Sequence, residues 1–265
     1  MSTVISKSVS RAFALFELCG RERRPLSATA IQTALGLPQA SALVLARELA
    51  ALGYLTYDAQ ARTYFPNERL LTLSSWLGAM DLPVRRLKDL VDEVARVTRE
   101  TTSLCSRNGR FLQIDHFCLG NQPGSILMQT GRAAPLPCSG AGRAVLAALS
   151  ETDAIAVIAD VRRRDRQNPF DATQAARDIR LARRHGHLVT YDLMIPGIGA
   201  VAFPLPPDLA GGCFALVVGA PTPRIRDHQA SLVRACHRIL ARRFPTAASD
   251  YRAAGRPRRV RRGAR

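Results

Sequence analysis

The chain has 265 residues, a formal net charge of +17 and 47% hydrophobic residues. Its length suits two domains, with enough apolar content to bury a core in each. No run of about twenty apolar residues occurs, which excludes a membrane-spanning helix; the start MSTVISKSVSRAF lacks the apolar centre of a secretory leader, so a cytoplasmic location is expected.

Seven of the positive charges are arginines in the last fourteen residues, RAAGRPRRVRRGAR, which contain no acid, so the rest of the chain carries +10. Such a balance favours polyanions, nucleic acid above all. Residues 246–265 have too little apolar content to fold and are expected to be a disordered basic tail. Six cysteines stand at 19, 105, 118, 138, 213 and 236, with no C-x-x-C pair and no histidine at ligand spacing. Neither a zinc site nor any other metal or cofactor is expected, and the thiols should be free.

In chain order, Val9, Ala12, Phe13 and Phe16 lie at helical spacing in a first helix over residues 8–20. GRERRP is a loop. Ser27 is a good N-cap for a helix carrying Ile31, Ala34 and Leu35, which Gly36 ends. Pro38 opens the next helix, where Ala42, Leu45, Leu49 and Leu52 form one stripe, closed by Gly53. Two helices joined by a Gly turn are the helix-turn-helix layout. YLTY, a turn at Asp58 to Arg62 and TYF form a hairpin beside it, a wing. Such a module presents its second helix to a major groove and its hairpin to a minor groove or phosphates. A plain helical pair that meets proteins rather than DNA is the alternative.

Residues 68–80 predict an amphipathic helix with Leu70, Leu73, Leu77 and Met80 on one face next to Trp76, suited to a dimer contact or linker. After Pro83 a helix over 84–101 carries Leu87, Leu90, Val91, Val94 and Val97 on one stripe. A hairpin turns at Asn108-Gly109, a type I′ signal. SILMQT predicts a strand, RAAPLPCSGAG a loop and RAVLAALS a helix; 151–167 and 171–186 predict two more helices, the first ending in a solvated arginine run. HLVTYD, AVAFPL and CFALVVGA read as strands, and Ala215 to Val218, apolar without a break, as a central one. A helix from Asp227 to Phe244 ends the series. This order predicts an α+β domain with an antiparallel or mixed sheet flanked by helices.

SVSRAFALFELC, LSATAIQTALGLPQASALVLARELAALGYL and RLLTL in the first part, with LPCSGAGRAVLA, GHLVTYD and VVGAP in the second, resemble the IclR family of bacterial transcription regulators over residues 8–244. The resemblance implies a winged helix-turn-helix DNA-binding domain (1–66), a linker helix (67–83), and a GAF-like effector-binding domain (84–245), followed by the tail (246–265). It further implies homodimers or homotetramers that bind double-stranded operator DNA and answer to small metabolites, often carboxylated or aromatic. In LPCSGAGRAVLA the small residues Ser139, Gly140, Ala141 and Gly142 precede a helix, so backbone N–H groups and the helix dipole can seat a carboxylate.

The chain departs from the family in both parts. Leu43 and Val44 occupy the middle of the recognition helix, where polar or basic residues are common, while Gln39, Ser41 and Arg47 remain for base or phosphate contact. Arg62, Lys7 and Arg11 are phosphate candidates. More reliance on apolar contact with thymine methyls is expected. In the effector domain Thr190, Ala200, Val217 and Gly219 stand at positions where the family carries acids, cysteine or serines. With Leu127 and Met128 they predict a weakly polar cavity and an effector that is a weakly polar or aromatic acid. An enzymatic alternative would use Cys138 or Ser139 with His116 and Asp115, but no nucleophile elbow or phosphate loop accompanies them, so no catalytic residue is assigned.

Overall fold

The computed structural model describes residues 6–79, 83–128, 130–165, 167–206 and 212–245, and it divides into two compact units between Asp81 and Leu82. The basic tail lies outside the described residues.

The first unit contains α1 (Lys7–Glu22), β1 (Leu26–Ser27), α2 (Ala28–Leu35), α3 (Gln39–Ala51), β2 (Leu55–Asp58), β3 (Thr63–Pro66) and α4 (Arg69–Ala79). The Ser27 hydroxyl caps α2 by accepting from the Ala30 amide at 3.1 Å. Gly36 takes φ +61° and the axis turns through 116° between α2 and α3, the geometry of a helix-turn-helix. β2 and β3 form the predicted wing, and β1, which the sequence reading missed, pairs with β3 through Leu26 and Tyr64. Leu15, Leu26 and Ile31 are fully buried, each removal from water contributing about 1.5–3 kcal/mol.

Three predicted faces are corrected by the packing. On α1 the core side is Leu15, Leu18 and Cys19, with Ala12 and Phe16 half-buried, whereas Val9 and Phe13 point out, Phe13 at 66% exposure. Two apolar stripes overlap on this helix, and contact with α2 and α3 selects one. Ala46 replaces Leu52 in the α3 stripe: Leu52 caps the helix end and is 58% exposed. On α4, Leu70 is half-buried, while Leu71 and Leu73 are exposed. The Trp76 and Leu77 side chains and Met80 lie outside the described part.

The second unit contains α5 (Pro83–Thr98), β4 (Thr101–Asn108), β5 (Phe111–Cys118), β6 (Gly131–Pro135), a 3-10 turn (Leu136–Cys138), α6 (Gly140–Ala147), α7 (Glu151–Arg164), α8 (Ala172–His185), β7 (Leu188–Tyr191), β8 (Ile198–Pro204), β9 (Phe214–Pro221) and α9 (Thr222–Arg243). The six strands form an antiparallel sheet in the order β6-β5-β4-β9-β8-β7, with β9 and β4 central. One face packs on α5 and α9 around Leu90, Val94, Phe203 and Leu240; the other packs on α6, α7 and α8 around Leu136, Val145, Val161 and Ile179. Both central strands are covered on both sides, which is why Ala215 to Val218 carry no polar residue.

Here too the structure revises particulars. Val97, in the last turn of α5, is 50% exposed, and the last helix begins five residues earlier than predicted, at Thr222. Residues 125–128 are not a strand; the edge strand beside β5 is β6, which runs from Gly131 into the segment expected to be a loop. Asn108 closes the β4–β5 ladder opposite Phe111, so the turn residues are Gly109 and Arg110. Only Gly109 has a positive φ, +62°, the sign pattern of a type II′ rather than a type I′ turn, and one that spares Arg110 the left-handed region.

Candidate functional site

In the first unit the recognition helix places its residues by 100° steps. Ala42, Leu45, Ala46 and Leu49 face the core, which turns Ala40, Val44, Arg47 and Ala51 directly outward. Gln39 and Arg47 are exposed, Val44 is 51% exposed, and Ser41 and Leu43 are half-buried at the flanks. Glu48 is also exposed beside Arg47, a residue the sequence reading passed over. At the wing tip Asp58 accepts from the Gln60 and Ala61 amides at 2.8 and 3.0 Å, and the exposed Arg62 sits at φ +52°. Lys7 is exposed and Arg11 half-buried on α1.

In the second unit a cavity of about 240 Å³ lies between the sheet and α6. Its floor is a band across four strands: Ser103 opposite Val217, Gly219 opposite Ala200, and Ala200 opposite Thr190. Small residues leave the space; a Cβ on Gly219 would come within 3.3 Å of Ile126 Cδ1. Cys105 of β4 and Leu112 and Ile114 of β5 continue the lining on the adjoining part of the sheet. Leu127, 78% exposed, and Met128 line the cavity as well, as do Leu193 and the exposed Met194 and Ile195. Ser139, Gly140 and Ala141 form the roof.

Every predicted effector residue except Gly142 lines this cavity. Gly142 lies behind it, where a Cβ would fall 2.0 Å from the Leu136 carbonyl oxygen, so it packs α6 onto the 3-10 turn. The sequence reading missed Ser103, Cys105, Leu112 and Ile114, although alternation along β4 and β5 puts each pair on one face. It also missed Leu193 to Ile195, whose short apolar run gives no sign of lying over a cavity.

Ser103 and Cys105 of β4 contact each other, and the other polar side chains of the cavity, Ser139 and Thr190, meet at the start of α6. The Ser139 hydroxyl, nearly buried, accepts from the Gly142 amide at 3.0 Å. The Gly140 and Ala141 amides, first and second in the helix, have no acceptor within it. A Cβ on Gly140 would fall 2.3 Å from Thr190 Oγ1, so glycine lets that hydroxyl approach the helix end. Among the described residues no ionised side chain lines the cavity: the one titratable group there, the Cys105 thiol, is pushed up to about 12 by burial and stays neutral. The helix dipole is therefore the dominant field, and it favours an anion.

Two anchors hold this geometry. Arg143, almost fully buried, donates from Nε to the Pro137 carbonyl at 2.8 Å and pairs with Asp178, which also accepts from Gln174 at 2.7 Å, tying the loop before α6 to α8. Asp192, at φ +54°, accepts from the Thr222 hydroxyl and the Gly197 amide, both at 2.7 Å, pinning the base of the 193–197 loop. The Thr222 hydroxyl, then the Gly197 amide, hold its carboxyl below the usual range. The residues of the enzymatic alternative do not converge. Ser139 lies on the α6 side of the sheet, whereas His116 bonds Asp92 of α5 on the other, and Cys138 contacts the Asn168 carbonyl. All six cysteines are free.

Residues 8–59 match the family model described as the IclR helix-turn-helix domain, and residues 76–242 match that of the bacterial transcriptional regulator IclR C-terminal region. A comparison with curated proteins found no match. Among solved structures, IclR of Thermotoga maritima is similar at 15% identity and a TM-score of 0.65, covering 95% of this chain and all of that one (100%). An IclR transcriptional regulator from Alicyclobacillus acidocaldarius shares 22% identity at a TM-score of 0.63, covering 93% and 99%. An IclR homolog from Microbacterium hydrocarbonoxydans, complexed with 4-hydroxybenzoate, shares 19% identity at a TM-score of 0.63, covering 93% and 100%.

Proposed function

The chain belongs to the IclR family of bacterial transcription regulators, and from that premise we propose that it binds operator DNA through α3 and the wing and answers to an aromatic or weakly polar carboxylate. The carboxylate sits against the Gly140 and Ala141 amides and the Ser139 and Thr190 hydroxyls. The ring lies on the floor formed by Ala200, Val217 and Gly219, under Leu127 and Met128.

The observation that carries this reading is the contrast within the cavity: one helix N-terminus for an anion, and otherwise apolar or neutral walls. A small hydroxy- or oxo-acid would leave the apolar floor uncovered, which penalises it against a ring that covers it. A volume of about 240 Å³ exceeds the roughly 150 Å³ that accommodates a benzene ring, leaving room for a carboxylate. The homolog holding 4-hydroxybenzoate binds an acid of this class.

On the DNA side, Gln39, Ser41, Leu43, Val44 and Arg47 face bases, and Lys7, Arg11 and Arg62 face phosphates. Homodimers or homotetramers fit the exposed Leu71 and Leu73 of the linker helix, which a second protomer would cover. Titration calorimetry of the whole protein with benzoate, 4-hydroxybenzoate and glyoxylate tests the effector class. The aromatic acids should bind at least tenfold more tightly; preference for glyoxylate refutes it.

A further inference from the structure

The outward ridge of α3 is nearly free of positive charge. Of Ala40, Val44, Arg47 and Ala51, three are apolar, and Val44 is half exposed to water. Beside them Glu48 is exposed and has no cation partner among the described residues. A helix that held DNA chiefly by its phosphates would carry lysine or arginine here, and a carboxylate near a phosphate run is repelled. Both features suit base edges instead. The thymine C5-methyl is the apolar group of the major groove. The cytosine N4 amine is the major-groove donor flanked by an acceptor on one side only, O6 of the paired guanine, whereas adenine N6 stands between N7 of its own ring and O4 of the paired thymine, and guanine presents N7 and O6. A carboxylate is thus compatible with cytosine and unfavourable against the other bases.

We propose that α3 selects its operator by contact of Val44 with a thymine methyl and of Glu48 with a cytosine amine, Glu48 acting as a filter that weakens binding to every other sequence. This rests on the reading of α3 as the DNA-facing helix. Arg47 supplies attraction, to guanine or phosphate, and the neighbouring carboxylate prevents that attraction from becoming indiscriminate.

The test begins with enrichment of duplexes from a random library by the full chain, with and without benzoate. Thymines of the enriched half-site are then replaced singly by uracil, which removes only the methyl, and the wild type is compared with Val44→Ala and Glu48→Ala. Both side chains are exposed, so neither variant should disturb folding, which circular dichroism verifies. At one thymine, uracil should lower wild-type affinity about fivefold or more and leave Val44→Ala unchanged. Glu48→Ala should bind random-sequence DNA more tightly while losing its preference for cytosine at one position. An enriched site whose uracil series is flat, or a Glu48→Ala variant with unaltered selectivity, overturns the proposal while leaving DNA binding intact. Failure to enrich any duplex overturns the proposal together with the reading of α3 beneath it.

Discussion

Residues 1–81, which carry the helix-turn-helix, hold eight lysines and arginines against six acids, whereas residues 82–245 hold twenty-three against fourteen. The unit that meets DNA is thus the less basic of the two. Many arginines of the effector unit are used internally: Arg143 pairs with Asp178, Arg224 with Glu100, and Arg242 and Arg243 with Glu93, while Arg183 donates to the Ala147 and Leu149 carbonyls at the end of α6. Net charge forecast a polyanion partner correctly but does not locate it. On α3 the useful information is the pattern of exposure, and in the effector unit it is the absence of ionised groups among the described residues lining one cavity.

The sharpest way to test that division is to remove a structural pair. Asp178→Ala strands the Arg143 guanidinium in a nearly dry site, and unfolding by urea should show a loss of about 3–5 kcal/mol. A loss below about 1 kcal/mol would mean that the arginines of this unit are not structural. On the other side, Arg47→Ala should weaken operator binding by about 1–3 kcal/mol with unchanged stability, read by gel shift and thermal unfolding.

A smaller effect concerns acid. Burial, then the neighbouring His187 ring, brings His237 down to about 4, and burial lowers His187 as well. Their folded values lie below the unfolded one near 6.5, so the unfolded chain binds more protons between pH 6.5 and 4. Stability is whole above pH 6.5 and is lost as pH falls toward 4, on the order of 1–2 kcal/mol once partial solvation of the ring is allowed for. His237→Phe should flatten the dependence of the urea midpoint between pH 7 and 5; an unchanged slope would assign it elsewhere. The smallest effect is the tail's: deleting residues 252–265 should lower affinity for all DNA alike and reduce its salt dependence. A change confined to one sequence would give the tail a base-reading role.

Most of the fold was legible because its signals are local. Ser27, Gly36 and Pro38 delimit helices by their own backbone and capping chemistry, and each acts as expected. The errors fall where two local readings were equally good. α1 offered two stripes, SILMQT looked as strand-like as any apolar run, and Asn-Gly fitted a turn whose actual centre is one residue later. The cavity was half legible: the loop before α6 announced itself through small residues, but Ser103 and Cys105 lie far from it in sequence and reach it only through the pairing of β4 with β9.

What the sequence determined by itself is the series of elements, their caps and the apolar periods that bury them, since these depend on residues within a turn or two of one another. Only the tertiary structure decided which apolar face goes inward, which small residues meet across the sheet to leave a cavity, and which arginines are consumed by buried carboxylates. Those outcomes depend on groups tens of residues apart, and no local pattern encodes the distance between them until the chain has closed.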